Sequence, residues 1–162
     1  MTLHIRPIQP SDNPHIAQVI RDVSAEFGLT ADKGYSVADP TLDTLFEVYQ
    51  VPKSQYWVLI NEQNNIVGGA GIAPLAGMPE VCELQKMYML NSARGKGLAQ
   101  KLIDQCLHQA KRLGYKQCYL ESTAELKAAL TLYEKNGFQH LDAPWGNTGH
   151  SDCEVVMAKI LS

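Results

Sequence analysis

Apolar and polar residues alternate from Leu3 to Ile8 as they do in a half-buried strand, with Leu3, Ile5 and Pro7 on one face. Ser11-Asp12-Asn13-Pro14 then supplies capping side chains and a proline suited to a first helical turn. Ile16, Val19, Ile20, Val23 and Phe27 follow at helical spacing, so the pattern predicts a helix over 14–27, ended by Gly28. Residues 29–40 are polar and without a period, and a short helical pattern covers 41–49. A long irregular loop in a compact domain is often a binding element, which makes Glu26, Phe27 and Tyr35 candidate pocket residues. Core packing for Phe27 and a solvated loop for Tyr35 are the competing readings. Residues 56–60 read as a strand, 61–65 as an Asn-rich turn and 66–75 as a second strand, together an antiparallel hairpin. Gly68, Gly69 and Gly71 predict a bulge or a close backbone approach, and 74–79 a loop.

Residues 82–90 are apolar enough for a buried strand; Asn91 to Ala93 break it, and from Leu98 to Leu113 the apolar positions recur at helical spacing up to Gly114. A strand over 117–121, a helix over about 125–136 stopped by Gly137, a short strand over 138–141 and a last strand over about 154–160 complete the chain. The predicted order is β-α-α-β-β-β-α-β-α-β-β.

The sequence of 162 residues fits one domain, 1–162, long enough to bury a core. A net charge of −3 argues against nucleic acid as the main partner. No apolar run reaches membrane-spanning length and no signal-peptide pattern opens the chain, so the expectation is a cytoplasmic protein without a membrane partner. Cys82, Cys106, Cys118 and Cys153 form no C-x-x-C pair and are expected to be mostly buried thiols.

Composition alone names no chemistry; the turn between the 82–90 strand and the helix after it does. The first turn of a helix leaves backbone N–H groups unpaired at the positive end of the helix dipole, where phosphate is stabilised. Gly95 and Gly97 remove side chains that would keep a pyrophosphate off those groups, while Arg94 and Lys96 add positive charge. A P-loop is excluded, because its first glycine and its Ser/Thr would fall on Leu90 and Gly97; a G-x-G-x-x-G fingerprint fails at Gln100. What remains is Arg-x-x-Gly-x-Ala, Arg94 to Ala99, which resembles the acyl-CoA pyrophosphate loop of the GCN5-related N-acetyltransferase (GNAT) superfamily. A second signature of that superfamily, Leu-Tyr-Glu-Lys-x-Gly-Phe, stands at Leu132 to Phe138. The order of elements is also the superfamily's. The resemblance is strongest over 81–141 and weakest over 9–50.

The resemblance implies an α/β (α+β) fold: a mixed, mostly antiparallel sheet of six to seven strands, splayed at the acyl-CoA site, with about four helices on its two faces. It implies an enzyme that transfers the acetyl group of acetyl-CoA to a primary amine. Met87, Tyr88 and Met89 would pair with the pantetheine arm, and a backbone N–H of Met87 or Met89 would stabilise the carbonyl oxygen. Arg94, Gly95, Lys96, Gly97, Leu98 and Ala99 would hold the pyrophosphate. An amine must lose its proton before it attacks, since an alkylammonium titrates near ~10.4. Glu83, 94 − 83 = 11 residues before Arg94, stands where some members carry a base. Strand alternation would put Glu83, Gln85, Met87 and Met89 on one face unless a bulge shifts the phase. Tyr133 stands where members often carry the acid that protonates the leaving thiolate. The alternative roles are an ion pair for Glu83 and a core tyrosine for Tyr133.

One position departs from the family pattern: Leu126 replaces the asparagine that many members carry seven residues before the tyrosine, and Ser122 or Thr123 would have to supply the lost polar contact. Residues 142–153 could close over the acceptor, with Trp145 as an apolar wall and His150 orienting or deprotonating it, or could be a surface loop. No ligand spacing supports a metal at His140, His150 and Cys153, and no metal is expected. A non-catalytic acyl-CoA-binding module is the alternative function, disfavoured by the joint presence of Glu83 and Tyr133. The acceptor class stays open among small amines, amino acids, peptide N-termini and protein lysines, and the sheet edges could support a homodimer.

Overall fold

A computed structural model describes residues 3–29, 38–146 and 155–161 of the chain. The elements are β1 (His4–Pro7), α1 (Asn13–Glu26), α2 (Leu45–Val48), β2 (Gln55–Ile60), β3 (Ile66–Leu75), β4 (Met78–Met89), α3 (Leu98–Arg112), β5 (Gln117–Ser122), α4 (Lys127–Lys135), β6 (Gln139–His140) and β7 (Val155–Ile160). Their order is the one read from the pattern. They build a seven-stranded sheet in the order β1-β2-β3-β4-β5-β7-β6, in which only β4 and β5 run parallel. The 74–79 stretch is not a loop: β3 ends at Leu75 and β4 begins at Met78, with Gly77 at φ 85 in the tight turn between them. Gly77 can take that left-handed conformation without a Cβ clash, so two residues suffice to reverse the chain.

The sheet is covered on both faces, which is why β2 is apolar from Tyr56 to Ile60 rather than alternating. Trp57 and Leu59 point to one side and join Leu98, Leu102, Ile103, Cys106, Leu107 and Ala110 of α3. Tyr56, Val58 and Ile60 point to the other and join Ile16, Ile20 and Val23 of α1 with Leu42 and Leu45. Each Leu or Ile buried this way contributes roughly 1.5–3 kcal/mol relative to exposure. Cys82, Cys106 and Cys118 are buried and free; Cys153 lies outside the described residues.

The sheet opens at its middle. β4 pairs with β5 only where Val81, Cys82 and Glu83 face Gln117, Cys118 and Tyr119. Beyond that rung the two strands part. Within β4, Gln85 faces Gly71 and Tyr88 faces Gly69, so Lys86 and Met87 together oppose Ala70, and Lys86 adopts φ 47. This extra residue is a β-bulge, and it overturns the expected alternation of Glu83, Gln85, Met87 and Met89 on one face. Leu84, Met87 and Met89 pack on the α3 side, whereas Gln85 meets Tyr49 on the α1 side and bonds Glu83.

The cause of the glycines on β3 lies in the neighbouring strand. A Cβ at Gly69 would stand 2.7 Å from the Tyr56 ring, and one at Gly71 would stand 2.5 Å from it. Their absence lets the ring lie across β3, where its hydroxyl donates to the carbonyl of Lys86 at 2.7 Å and holds the bulge.

Candidate active site

The split between β4 and β5 leads into two adjoining cavities. The larger, of about 410 Å³, is walled by Met87, Tyr88 and Met89 of β4, by the turn into α3, by α4, by Val23 of α1 and by Phe27 just after it. The smaller, of about 70 Å³, lies deeper, among Glu83 to Tyr88, Leu120 to Thr123 and Leu29. Met87, Tyr88, Leu126 and Tyr133 line both and mark where they meet.

The turn before α3 has the backbone that its glycines suggest. Gly95 takes φ 77 and Gly97 takes φ 74, the left-handed region, and Gly97 caps the helix. A Cβ at either would project into open space, so conformation rather than crowding requires glycine there. The first turn of α3, whose N–H groups have no partner within the helix, lines the large cavity with Gly95, Gly97, Leu98 and Ala99. The chemistry of this turn fits a pyrophosphate. Lys96 is exposed beside it.

Arg94 is more occupied than its sequence position suggests. Its two terminal nitrogens form a bidentate pair with Glu26 at 2.6 and 2.8 Å, its Nε donates to the carbonyl of Met89 at 3.0 Å, and its guanidinium lies 5.2 Å from the Phe27 ring centroid. The guanidinium holds the Glu26 carboxyl below the usual carboxylate range. Phe27 therefore both packs against the α1 core and lines the large cavity, and Arg94 ties the end of α1 to the phosphate turn.

Tyr133 projects from α4 into the junction. It is 7% exposed, packs edge-on against Phe138, and its hydroxyl lies 3.9 Å from the Met87 sulfur. Burial pushes its ionisation well above the ordinary tyrosine value, so the hydroxyl keeps its proton through the neutral range.

Glu83 occupies the wall of the small cavity, 6% exposed. One carboxylate oxygen accepts from the Gln85 side-chain nitrogen at 2.7 Å, and the Gln85 carbonyl accepts from the Tyr49 hydroxyl at 2.6 Å. Across the split, the Tyr119 hydroxyl donates to Glu121 at 2.8 Å and accepts from the Trp145 backbone N–H at 3.2 Å, and the two rings stack at 5.6 Å. Trp145 is thus part of a small apolar cluster with Leu75, Val81 and Val156. Lys86, from the bulge, reaches Asp39 at 2.8 Å with its side chain only 8% exposed. The Thr123 hydroxyl bonds Glu125, and Ser122 and Thr123 both line the small cavity, while Leu126 sits at the start of α4.

Met87, Tyr88, Met89, Arg94, Gly95, Gly97, Leu98, Ala99, Phe27 and Tyr133 are thus gathered around one cavity, and Glu83 lines the cavity joined to it. Tyr35 and His150 lie outside the described residues. Tyr49, Tyr119, Glu121 and Lys86 carried no signal in the sequence, since each reaches the site from a strand or loop with no motif. Among the described residues no cluster of three His, Cys, Asp or Glu side chains could hold a metal ion, and no helix is long and apolar enough to cross a membrane.

A family model described as "Acetyltransferase (GNAT) family" matches residues 20–138. A protein of Escherichia coli (strain K12) named "Uncharacterized N-acetyltransferase YjgM" is 56% identical over 158 residues, covering 97% of this chain and 94% of that protein. Among solved structures, an acetyltransferase of the GNAT family from Staphylococcus aureus Mu50 superposes with a TM-score of 0.88 at 22% identity, over 99% of this chain and 100% of that one. The PaiA N-acetyltransferase of Thermoplasma acidophilum, in complex with coenzyme A, does so with a TM-score of 0.77 at 17% identity, over 99% of each chain. These two structures share the fold.

Proposed function

This chain belongs to the GNAT family of acetyltransferases, and from that premise we propose that it transfers the acetyl group of acetyl-CoA to a primary amine of a small-molecule or peptide acceptor by direct attack in a ternary complex. The observation that carries the reading is the junction of the two cavities, where Tyr133 and the bulged segment of β4 meet below the phosphate turn.

Acetyl-CoA supplies the activated acetyl thioester. In this reading the backbone N–H groups of Gly95 to Ala99 hold the pyrophosphate, with Lys96 adding charge; Arg94, already paired with Glu26, braces the turn from below. Met87 to Met89 line the pantetheine arm, and a backbone N–H of Met87 or Met89 is aimed at the carbonyl oxygen, where negative charge grows during attack. Glu83, in the acceptor cavity, receives the amine proton directly or through water. Tyr133 returns a proton to the leaving sulfur, and its high ionisation range ensures that the proton is there to give.

The test is calorimetric titration with acetyl-CoA, NADH and ATP, followed by thiol release from acetyl-CoA in the presence of an alkylamine, an amino acid, a dipeptide and a lysyl peptide. Selective acetyl-CoA binding and turnover with one of these acceptors are expected. Tyr133→Phe should lower kcat by roughly 10²-fold or more with little change in acetyl-CoA affinity. Binding without turnover on any amine, together with an inert Tyr133→Phe, would instead favour an acyl-CoA-binding module.

A further inference from the structure

The chain of side chains behind Glu83 has a polarity that chemistry alone decides. An ionised carboxylate only accepts hydrogen bonds, so the Gln85 amide must turn its NH2 group toward Glu83. Its carbonyl then faces Tyr49, and the Tyr49 hydroxyl must donate. The carboxylate thus sets which way the amide faces, and the Tyr49 hydroxyl, free to donate, anchors its carbonyl end so that the amide is held at both ends. The group is well placed to do this work: Tyr49 is 4% exposed, directly follows α2, and its ring packs on Tyr56 at 5.1 Å, the residue whose hydroxyl holds the bulge.

We propose that Tyr49 and Gln85 are positioning residues for the acceptor-side carboxylate: Tyr49 anchors the carbonyl end of the Gln85 amide, and the amide presents an N–H that aims Glu83 and favours its ionised form. This rests on the reading of Glu83 as the base. It adds a role for two residues that touch neither the acetyl donor's phosphate turn nor Tyr133. No proton passes along the chain; Gln85 holds an orientation, and the amine proton goes to Glu83.

Other titratable groups face the same space. From β5 comes Glu121, with Tyr119 bonded to it outside the lining, from β4 Lys86 and Tyr88, and from α4 Tyr133; Asp39 stands behind Lys86 as its ion-pair partner. Burial pushes Tyr49, Tyr119 and Tyr133 upward, away from the carboxylate range. Glu121 is a second carboxylate in the lining of the small cavity, and its effect has the opposite sign. Removing a nearby negative charge makes Glu83 easier to ionise, whereas removing an N–H donor makes it harder.

The experiment is a pH titration of the full chain labelled with ¹³C at the glutamate carboxyl, read by NMR without ligand, with the Glu83 resonance assigned by its loss in Glu83→Gln. In Gln85→Leu the Glu83 midpoint should move up by about one pH unit, the scale of one hydrogen bond to a charged group, and in Tyr49→Phe it should move up by less, because the donor stays and only its anchor is lost. In Glu121→Gln it should move down. A Glu83 midpoint that stays at the wild-type position in either folded Tyr49→Phe or folded Gln85→Leu overturns the inference. Thiol release from acetyl-CoA with the same amine set separates this from the reading it rests on. Full turnover in Glu83→Gln removes Glu83 as the base whatever the titration shows, while lost turnover in Glu83→Gln with an unmoved midpoint in Tyr49→Phe removes only the positioning role.

Discussion

At the scale of single residues, the pair between Lys86 and Asp39 shows how the wall of the small cavity is held together. Burial alone would raise the Asp39 carboxyl, but the Lys86 ammonium and the two Thr41 donors outweigh it and hold the group at about 2. A carboxyl depressed in the folded state adds stability above its unfolded value, near ~3.9, and loses it as pH falls through the folded value. Lys86→Met should therefore destabilise the protein by about 1–2 kcal/mol at pH 7, allowing for the partial exposure of Asp39. The urea midpoints of variant and wild type should converge as pH falls from about 4 toward 2. An equal gap at pH 7 and pH 3 would mean that the pair does not contribute through charge. Neither member was legible beforehand. Lys86 looks like any strand lysine, and Asp39 lies 86 − 39 = 47 residues away in a stretch without a period. Arg94 and Glu26 illustrate the same limit: the motif identifies the arginine, but its partner is fixed only when the end of α1 comes to rest beside the turn.

At the scale of elements, the bulge in β4 is the feature on which the site depends, and its cause is distributed over three strands. Gly69 and Gly71 on β3 admit the Tyr56 ring from β2, and the Tyr56 hydroxyl secures the Lys86 carbonyl on β4. Gly71→Ala would place a Cβ 2.5 Å from that ring and 2.9 Å from the Gln55 carbonyl oxygen, and the latter is backbone that cannot swing aside. The expected cost is about 1–3 kcal/mol, visible as a lower Tm. Turnover should fall further than stability alone explains, because a displaced Tyr56 releases the bulge that separates Glu83 from Met87. Unchanged Tm and turnover would show that β3 has slack the distances deny. The glycines were legible as a close approach, since few other reasons put three in one strand. A bulge was the other reading of those glycines, but not its place: the strand that bends is not the strand that carries the glycines, and strict alternation then misassigns every later side chain. The helices were legible because periodicity and glycine stops act within one element; α3 begins at Leu98 as its spacing predicts.

At the scale of the whole molecule, the sheet is joined at its centre by a single short ladder. Three residues of β4 face three of β5, while β3 and β4 pair over most of their length. The large cavity opens beside that weak seam and is lined from α1, β4, the turn into α3 and α4. A ligand seated there bridges α1, β4, the turn into α3 and α4, and a ligand that binds only the folded state stabilises it as a whole. At a free acetyl-CoA concentration 100-fold above Kd, mass action adds about 2.7 kcal/mol of stability. For a chain of this size that corresponds to a rise in Tm of about 5–10 °C. Amide exchange should slow most in β4 after Glu83 and in α4, and least in β2, which is already covered on both faces. Protection centred on β1 and β2 would place the ligand away from the split and detach the phosphate turn from the junction that Tyr133 guards.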